Sequence, residues 1–318
     1  QGTGPTINKT KNVYFVLAAY GDIGELKYLY FGIMLFWFMS IWMVNSVLIL
    51  IIYKDKRLHE PMYIFVCHLF VNEISGSTSL YPLMLSQMLS DTHKVTVPWC
   101  FLQMCYIYTS ASLEFCSLAA MAYDRYVAIC YPLQYSLIMN TERVCKIILG
   151  VWGYSVMNFL VLFSFFIHLD FCGNVINKVF CDYHLIIQLA CSVSAIDKIS
   201  DLIFAFLTIV VPFGLISFSY VKILGVCLKA SKENTQKAVS TCTPQIVSLS
   251  NMFLGTLFHF SESRIDAAAV PDKLRIILSI YLLLIQPMIT PFLYGFNLPK
   301  MRQSCKRFLL GHKINIFM

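Results

Sequence analysis

Seven stretches of mostly apolar residues divide the chain: Tyr28–Tyr53, Met62–Leu89, Val97–Cys130, Lys146–Ile167, Leu202–Leu228, Val239–Phe260 and Leu274–Phe296. A helix needs about 20 apolar residues to cross a bilayer core, so each stretch reads as a membrane span. The sixth is the most polar, with many Ser and Thr residues. Prolines stand inside the second (Pro82), fifth (Pro212) and seventh (Pro287, Pro291). Membrane helices tolerate proline and often kink there. After the last span, Leu298–Leu310 sets Lys300, Arg302, Lys306 and Arg307 beside Met301, Phe308 and Leu309. That pattern predicts a short amphipathic helix on the inner membrane surface. The expected fold is an all-α membrane protein, a seven-transmembrane helix bundle with a short amphipathic eighth helix. It reads as a single domain: an extracellular tail over 1–27, the bundle over 28–296, and a cytoplasmic helix and tail over 297–318.

Composition agrees with the pattern. Of 318 residues, 58% are hydrophobic and 13% charged, against about 25% charge in a soluble domain. Only a bilayer solvates so much apolar surface. The net charge of +7 is scattered among apolar runs, which argues against a nucleic-acid patch. With the N-terminus outside, the inner segments hold fifteen basic residues against five acids. The outer ones hold nine against ten. This is the positive-inside distribution. Asn8-Lys9-Thr10 is then a glycosylation sequon on the outer tail. No cleavable signal peptide is visible. The chain starts at Gln1 rather than Met, so the reading expects native residues ahead of it. There is no CxxC pair, no cysteine and histidine cluster with zinc spacing, and no internal repeat.

Two carboxylates interrupt apolar spans: Glu73 in the second and Glu114 in the third. A charge at the bilayer centre costs at least about 2.5–3.5 kcal/mol, so such residues face the bundle interior and usually carry a function. Each lies eleven residues from an inner boundary, Met62 and Arg125 respectively. Both therefore sit about 16 Å from the inner face and can meet at one depth. Eleven residues is also close to three helical turns, which puts Glu114 and Arg125 on one face. The pair could share a proton, hold a cation such as Na⁺ with Ser117, or be satisfied by backbone and water.

At the inner end of the third span stands Asp124-Arg125-Tyr126. Asp124 can hold Arg125 at the membrane face, and breaking that pair would free the guanidinium for a cytoplasmic partner. The longer segment Met121-Ala-Tyr-Asp-Arg-Tyr-Val-Ala-Ile-Cys130-Tyr-Pro-Leu-Gln-Tyr135 resembles the signature of vertebrate odorant receptors. So do Pro61-Met-Tyr63, Lys237-Ala-Val-Ser-Thr-Cys242 and Pro291-Phe-Leu-Tyr294, in the same order along the chain. Val71-Asn-Glu73 and Glu114-Phe-Cys116 are similar to a fish-type branch.

This resemblance implies a rhodopsin-like G-protein-coupled receptor, not an enzyme, in the plasma membrane of sensory neuron cilia. It implies further that the protein binds small odorants, needs no cofactor other than Na⁺ at the acid pair, and couples to a stimulatory olfactory-type G protein that raises cyclic AMP. Asp124, Arg125, Tyr126 and Tyr294 would form the switch. Two positions depart from the usual pattern: Thr290 stands where rhodopsin-like receptors commonly have Asn or Asp, and Gln245 where odorant receptors often have His; the sixth span lacks the Cys-Trp-x-Pro motif of other rhodopsin-like receptors, as odorant receptors generally do. The resemblance also selects the disulfides. Cys100 closes the outer end of the third span, and Cys172, Cys181 and Cys191 share the loop of about His168–Ser200. Four cysteines allow three pairings, of which the family implies Cys100–Cys181 and Cys172–Cys191.

For the odorant, helical spacing lines up Met104, Tyr108, Ala111 and Ser112 on the third span, and Phe253, Thr256 and Phe260 on the sixth. Phe206 and Tyr281 would add to them, giving an apolar pocket with a few hydroxyls. Ordinary helix packing is the competing account of each aromatic. Arg264, near Glu262 and Asp266, would hold a carboxylate ligand if it reached inward. A secondary transporter using Glu73 and Glu114 as an ion relay is the main alternative, but it predicts repeats and leaves the Asp-Arg-Tyr segment without a role. A hormone receptor of the same fold is disfavoured by the sixth span and the four cysteines. An intramembrane enzyme is disfavoured by the lack of a paired catalytic motif.

Overall fold

The computed structural model describes residues 14–20, 24–166, 169–192, 194–229, 232–262 and 272–316. Seven long helices follow one another: α1 (Leu26–Lys54), α2 (Pro61–Leu89), α3 (Val97–Cys130), α4 (Thr141–Phe166), α5, α6 (Lys232–Glu262) and α7 (Asp272–Asn297). Helix α5 runs through Ala195–Ala205, a wider π turn at Phe206–Val210, and Val211–Cys227. The π turn precedes Pro212, which has no N–H to give to the ladder, so the helix shifts its hydrogen-bond register there. A last helix, α8 (Pro299–Ile316), turns off the end of α7. Pro61 and Pro98 open α2 and α3 at positions where a missing N–H costs nothing.

Among the described residues, three helical segments, Leu26–Lys54, Thr141–Phe166 and Leu202–Cys227, are long and apolar enough to cross a membrane by length and composition alone, with mean hydropathies of 2.2, 1.8 and 2.3. The other helices carry polar side chains on their inward faces, for example Asn72, Glu73, Glu114, Asp124, Gln245 and Gln286, all buried. Outward faces stay apolar: Phe36 is 72% exposed and Leu149 70%. Lipid solvates them. Two large apolar clusters fill the interior, beside a small third one of Ile223, Cys227 and Cys242. One, at the predicted inner end, includes Leu48, Phe65, Leu69, Leu118, Met121, Tyr294 and Met301. The other, at the predicted outer end, includes Phe15, Tyr81, Met104, Phe166, Phe180 and Ile186.

The structure extends several helices beyond the apolar runs. Helix α4 begins at Thr141 rather than Lys146, because the Asn140 side chain caps it by accepting from the Arg143 N–H at 2.8 Å. Helix α5 begins at Ala195 rather than Leu202, and α6 at Lys232 rather than Val239. Hydropathy ends where lipid ends, whereas a hydrogen-bonded ladder continues into the aqueous rim.

The helical bundle carries one small addition. A small sheet caps the outer end, in the order β2-β1-β3, with β1 (Tyr14–Leu17), β2 (Lys94–Thr96) and β3 (Val175–Ile176). Strand β1 pairs antiparallel with β2, Phe15 opposite Val95, and parallel with β3, Leu17 opposite Ile176. Its alternation buries Phe15 and Leu17 in the outer cluster. Four residues are too few for periodicity to announce this. His93 makes the tight turn before β2 at φ 46°. It is held by its Nδ1 at 2.9 Å from the Gln87 carbonyl and by stacking on Tyr20.

Candidate functional site

Between the two apolar clusters lies a buried polar layer. The Gln286 Nε2 on α7 donates to Glu114 Oε1 on α3 at 2.5 Å and to the Ser248 hydroxyl on α6 at 3.2 Å. Its Oε1 accepts from the Asn251 side chain. The Tyr281 hydroxyl donates to Asn251 Oδ1 at 2.7 Å. Tyr281, Asn251, Gln286 and Glu114 thus form one hydrogen-bonded chain across three helices. Glu73 lies close enough to Glu114 for their charges to interact, with Thr290 as its hydrogen-bonding neighbour. One Glu73 oxygen, Oε1, is buried without a partner. Glu73 and Glu114 therefore do share one depth.

Ser117 does not join them. Its hydroxyl donates to the Leu113 carbonyl at 2.6 Å and lies 3.1 Å from His68 Nδ1. Helical spacing put it one turn from Glu114 but could not show that the hydroxyl turns back onto the Leu113 carbonyl of its own helix. Among the described residues, no group of three or more His, Cys, Asp and Glu side chains converges as a metal site.

At the inner end, Asp124 is wholly buried. It accepts two bonds from Arg125, Nε at 3.1 Å and Nη2 at 2.6 Å, and one from the Tyr135 hydroxyl at 2.8 Å. Tyr126 stands apart from this pair, its hydroxyl 3.3 Å from that of Tyr131. Tyr294 is fully buried in the inner cluster. Beside the pair the chain projects Leu133, 95% exposed, and Leu137, 77% exposed.

A second inner device ties α1 to α8. Asp55, just after α1, accepts from Arg57 Nε at 2.9 Å, Arg57 Nη2 at 2.8 Å and the Ser304 hydroxyl at 2.6 Å. The Arg57 guanidinium first, then Ser304, hold its carboxyl well below the usual carboxylate range. Glu60 pairs with Lys300 alongside.

The candidate odorant residues divide. Met104 and Tyr108 are walled in by Phe166 and Tyr183, and the space between them is about 10 Å³. The Tyr108 hydroxyl accepts from the Tyr183 N–H at 3.2 Å. Ser112 is buried with its hydroxyl unpaired, and Ala111 is half-buried against the inner cluster. Phe253 stacks on Phe213 at 5.3 Å, and Thr256 spends its hydroxyl on the Met252 carbonyl. Phe206 corrects the expectation: it is 54% exposed on the outside of the bundle, because the face of α5 that leads into the π turn at Phe206 points outward there. The Phe260 and Glu262 side chains, and Arg264, Asp266 and Asn8, lie outside the described residues.

The loop over the outer end is fastened by both implied disulfides, Cys100–Cys181 with Cα atoms 5.5 Å apart and Cys172–Cys191 with 4.8 Å. Gln103 adds a bond, its Oε1 accepting from the Cys181 N–H at 3.0 Å. Within the loop, Lys178 and Asp182 form a buried ion pair at 3.0 Å. Sequence reasoning missed Gln286, the centre of the polar layer. Its one signal was a carboxamide amid Leu, Ile and Pro in the seventh span.

The model of one family, described as "Olfactory receptor", matches residues 34–312. The chain is 34% identical over 320 residues to human (Homo sapiens) "Olfactory receptor 5P3", with 99% of each covered. It is 32% identical to human "Olfactory receptor 11A1", with 93% of each covered. Mouse (Mus musculus) "Olfactory receptor 1E16" is 30% identical, with 97% of this chain and 98% of the relative covered. Among solved structures, squid rhodopsin superposes with a TM-score of 0.71 over 92% of this chain and 89% of that one, at 17% identity. That last likeness shows the fold.

Proposed function

Because this chain belongs to the olfactory receptor family, we propose that it is an odorant receptor that couples to a stimulatory heterotrimeric G protein and raises cyclic AMP. The observation that carries this reading is the hydrogen-bonded chain from Tyr281 through Asn251 and Gln286 to Glu114. Tyr281 borders the outer half, where a small molecule would sit among α3, α5, α6 and α7. Glu114 lies on the face of α3 that ends in Arg125. A ligand that moves Tyr281 has a route of polar partners toward the inner switch.

At that switch, Arg125 is held by Asp124, and Asp124 by Tyr135. Releasing Arg125 gives a cytoplasmic partner a guanidinium with five donors. Leu133, standing almost wholly in the open, offers such a partner an apolar knob. Glu73 and Glu114 hold a cation such as Na⁺ in the resting state, with Thr290 in the place first given to Ser117. Their mutual charge and the unpartnered Glu73 oxygen support this. The N-terminus faces outside, which puts both disulfides in an oxidising compartment. Asn8 is the glycan acceptor, and Arg264 the candidate anchor for an acidic odorant.

The test is cyclic AMP in cells displaying the chain, across a panel of small acids, amines, alcohols and amino acids, beside an Arg125→Ala control. A dose-dependent rise that the control lacks supports the reading. Ligand-independent ion or solute flux in the same cells would replace it with a transporter.

A further inference from the structure

A groove of about 870 Å³ opens toward the bilayer on the outer half of α1, α2 and α3, away from the candidate odorant site. One wall is α2 from Val71 to Gln87. The other is Trp99, Leu102 and Tyr106 of α3, spaced i, i+3 and i+7 and 63%, 45% and 46% exposed. Two hydroxyls at the middle of the groove, Thr78 and Ser79, are already engaged. Thr78 donates to the Ile74 carbonyl and accepts from Trp42 Nε1, and Ser79 donates to the Gly76 carbonyl. With those two engaged, the wall a guest meets there is mainly Trp42, Val71, Ile74, Pro82, Leu83 and Leu102.

The outer end differs. Gln87 and Gln103 line it, both nearly fully buried. Gln87 Nε2 donates to the Lys94 carbonyl and Gln103 Oε1 accepts from the Cys181 N–H, which fixes both carboxamides. Each is left with one buried unpaired atom, the acceptor Oε1 of Gln87 and the donor Nε2 of Gln103. A single hydroxyl, which donates and accepts, satisfies both. Lys94, the one cation among the described residues lining the groove, already lies over the Tyr14 ring.

We propose that this groove binds a membrane sterol, with its hydroxyl between Gln87 and Gln103 and its fused rings along the aromatic wall of α3. The residues from Gln87 to Val71 span about 24 Å of helix, long enough for the ring system and tail. Spread over that length, the volume is wider than one polymethylene chain in van der Waals contact requires. A neutral guest with one hydroxyl and a broad apolar body matches what the walls offer. A phosphate headgroup would leave the Gln87 acceptor unpaired, because phosphate oxygens only accept.

The test is photolabelling of the full chain in phosphatidylcholine nanodiscs that contain a trace of photoreactive sterol, with labelled peptides mapped by mass spectrometry. Label is expected on the peptides holding Thr78–Gln87 and Trp99–Tyr106, and excess unlabelled sterol should remove it. Ser86→Trp fills the groove mouth from an exposed position and should lower labelling roughly tenfold. Leu149→Trp, on the lipid-facing side of α4, should leave it unchanged. Competition in the unaltered chain keeps the test decisive if Ser86→Trp folds poorly. Label spread evenly over the lipid-facing helices, or label that survives competition, overturns the proposal. So does equal labelling of the same peptides by photoreactive phosphatidylcholine, which would make the groove an acyl-chain site.

Discussion

Asp124 has no exposed surface and accepts three hydrogen bonds, two of them from Arg125. Removing one partner of a buried pair costs about 3–5 kcal/mol, because the other charge is left uncompensated. Asp124→Asn weakens the hold on Arg125 and should raise cyclic AMP without ligand. Tyr135→Phe removes only the third bond, worth about 1 kcal/mol, so its basal rise should be smaller, about fivefold at most. Basal cyclic AMP at matched surface expression measures both, and a Tyr135→Phe effect equal to that of Asp124→Asn would show that Tyr135 does more than steady the carboxylate. Much of this site was legible in the chain. A carboxylate, a guanidinium and two phenols in one short segment have few other uses at a membrane boundary. Glu73 and Glu114 were legible because a charge in an apolar run is conspicuous. Ser117 misled because spacing fixes a helix face but not a rotamer, and hydroxyls often turn back onto their own helix. Gln286 stayed hidden because one neutral carboxamide barely changes the hydropathy of its span.

At the scale of elements, the long helices were visible as apolar runs, whereas their ends and the outer sheet were not. Helix ends depend on caps such as Asn140. Strand β1 depends on partners far away in the chain, at Val95 and Ile176. The strap between α1 and α8 is another such long-range feature. Arg57 and Ser304 depress the Asp55 carboxyl in the folded chain, so its stabilisation is complete above the unfolded value of about 3.9. It fades only as pH falls below that. The docking of α8 should therefore be the same at pH 6 and pH 8, and Asp55→Asn should loosen it at both. Amide hydrogen exchange over 299–309 reads this directly. A difference between the two pH values in the unaltered chain would assign the strap to another group. The disulfides form a second pair of elements. Cys100–Cys181 closes a separation of 81 residues and Cys172–Cys191 one of 19. On chain entropy the longer closure stabilises more, by about 1 kcal/mol. Cys100→Ser should thus lower the melting temperature further than Cys172→Ser, and the reverse order would locate the loop's main restraint at its shorter closure.

For the whole molecule, the two apolar clusters are joined by a layer in which α3, α6 and α7 share one set of hydrogen bonds. Apolar packing alone would let the halves shift against each other at little directional cost. A polar layer in low dielectric is different, since a misplaced partner leaves a buried group unpaired. Gln286 is where this cost concentrates, since it serves Glu114, Ser248 and Asn251 together. Gln286→Leu keeps the bulk and removes every bond, leaving Glu114 without its donor. The expected loss is about 1–3 kcal/mol, or more for a charged acceptor, read as a lower melting temperature in detergent. Signalling supplies the second reading. If the layer relays the position of Tyr281 to α3, Gln286→Leu should blunt the response to any active odorant while leaving Asp124→Asn able to raise basal cyclic AMP, because the inner ion pair lies beyond the break. An odorant response kept intact in a destabilised Gln286→Leu chain would make the layer a structural joint, with the signal passing through apolar packing instead.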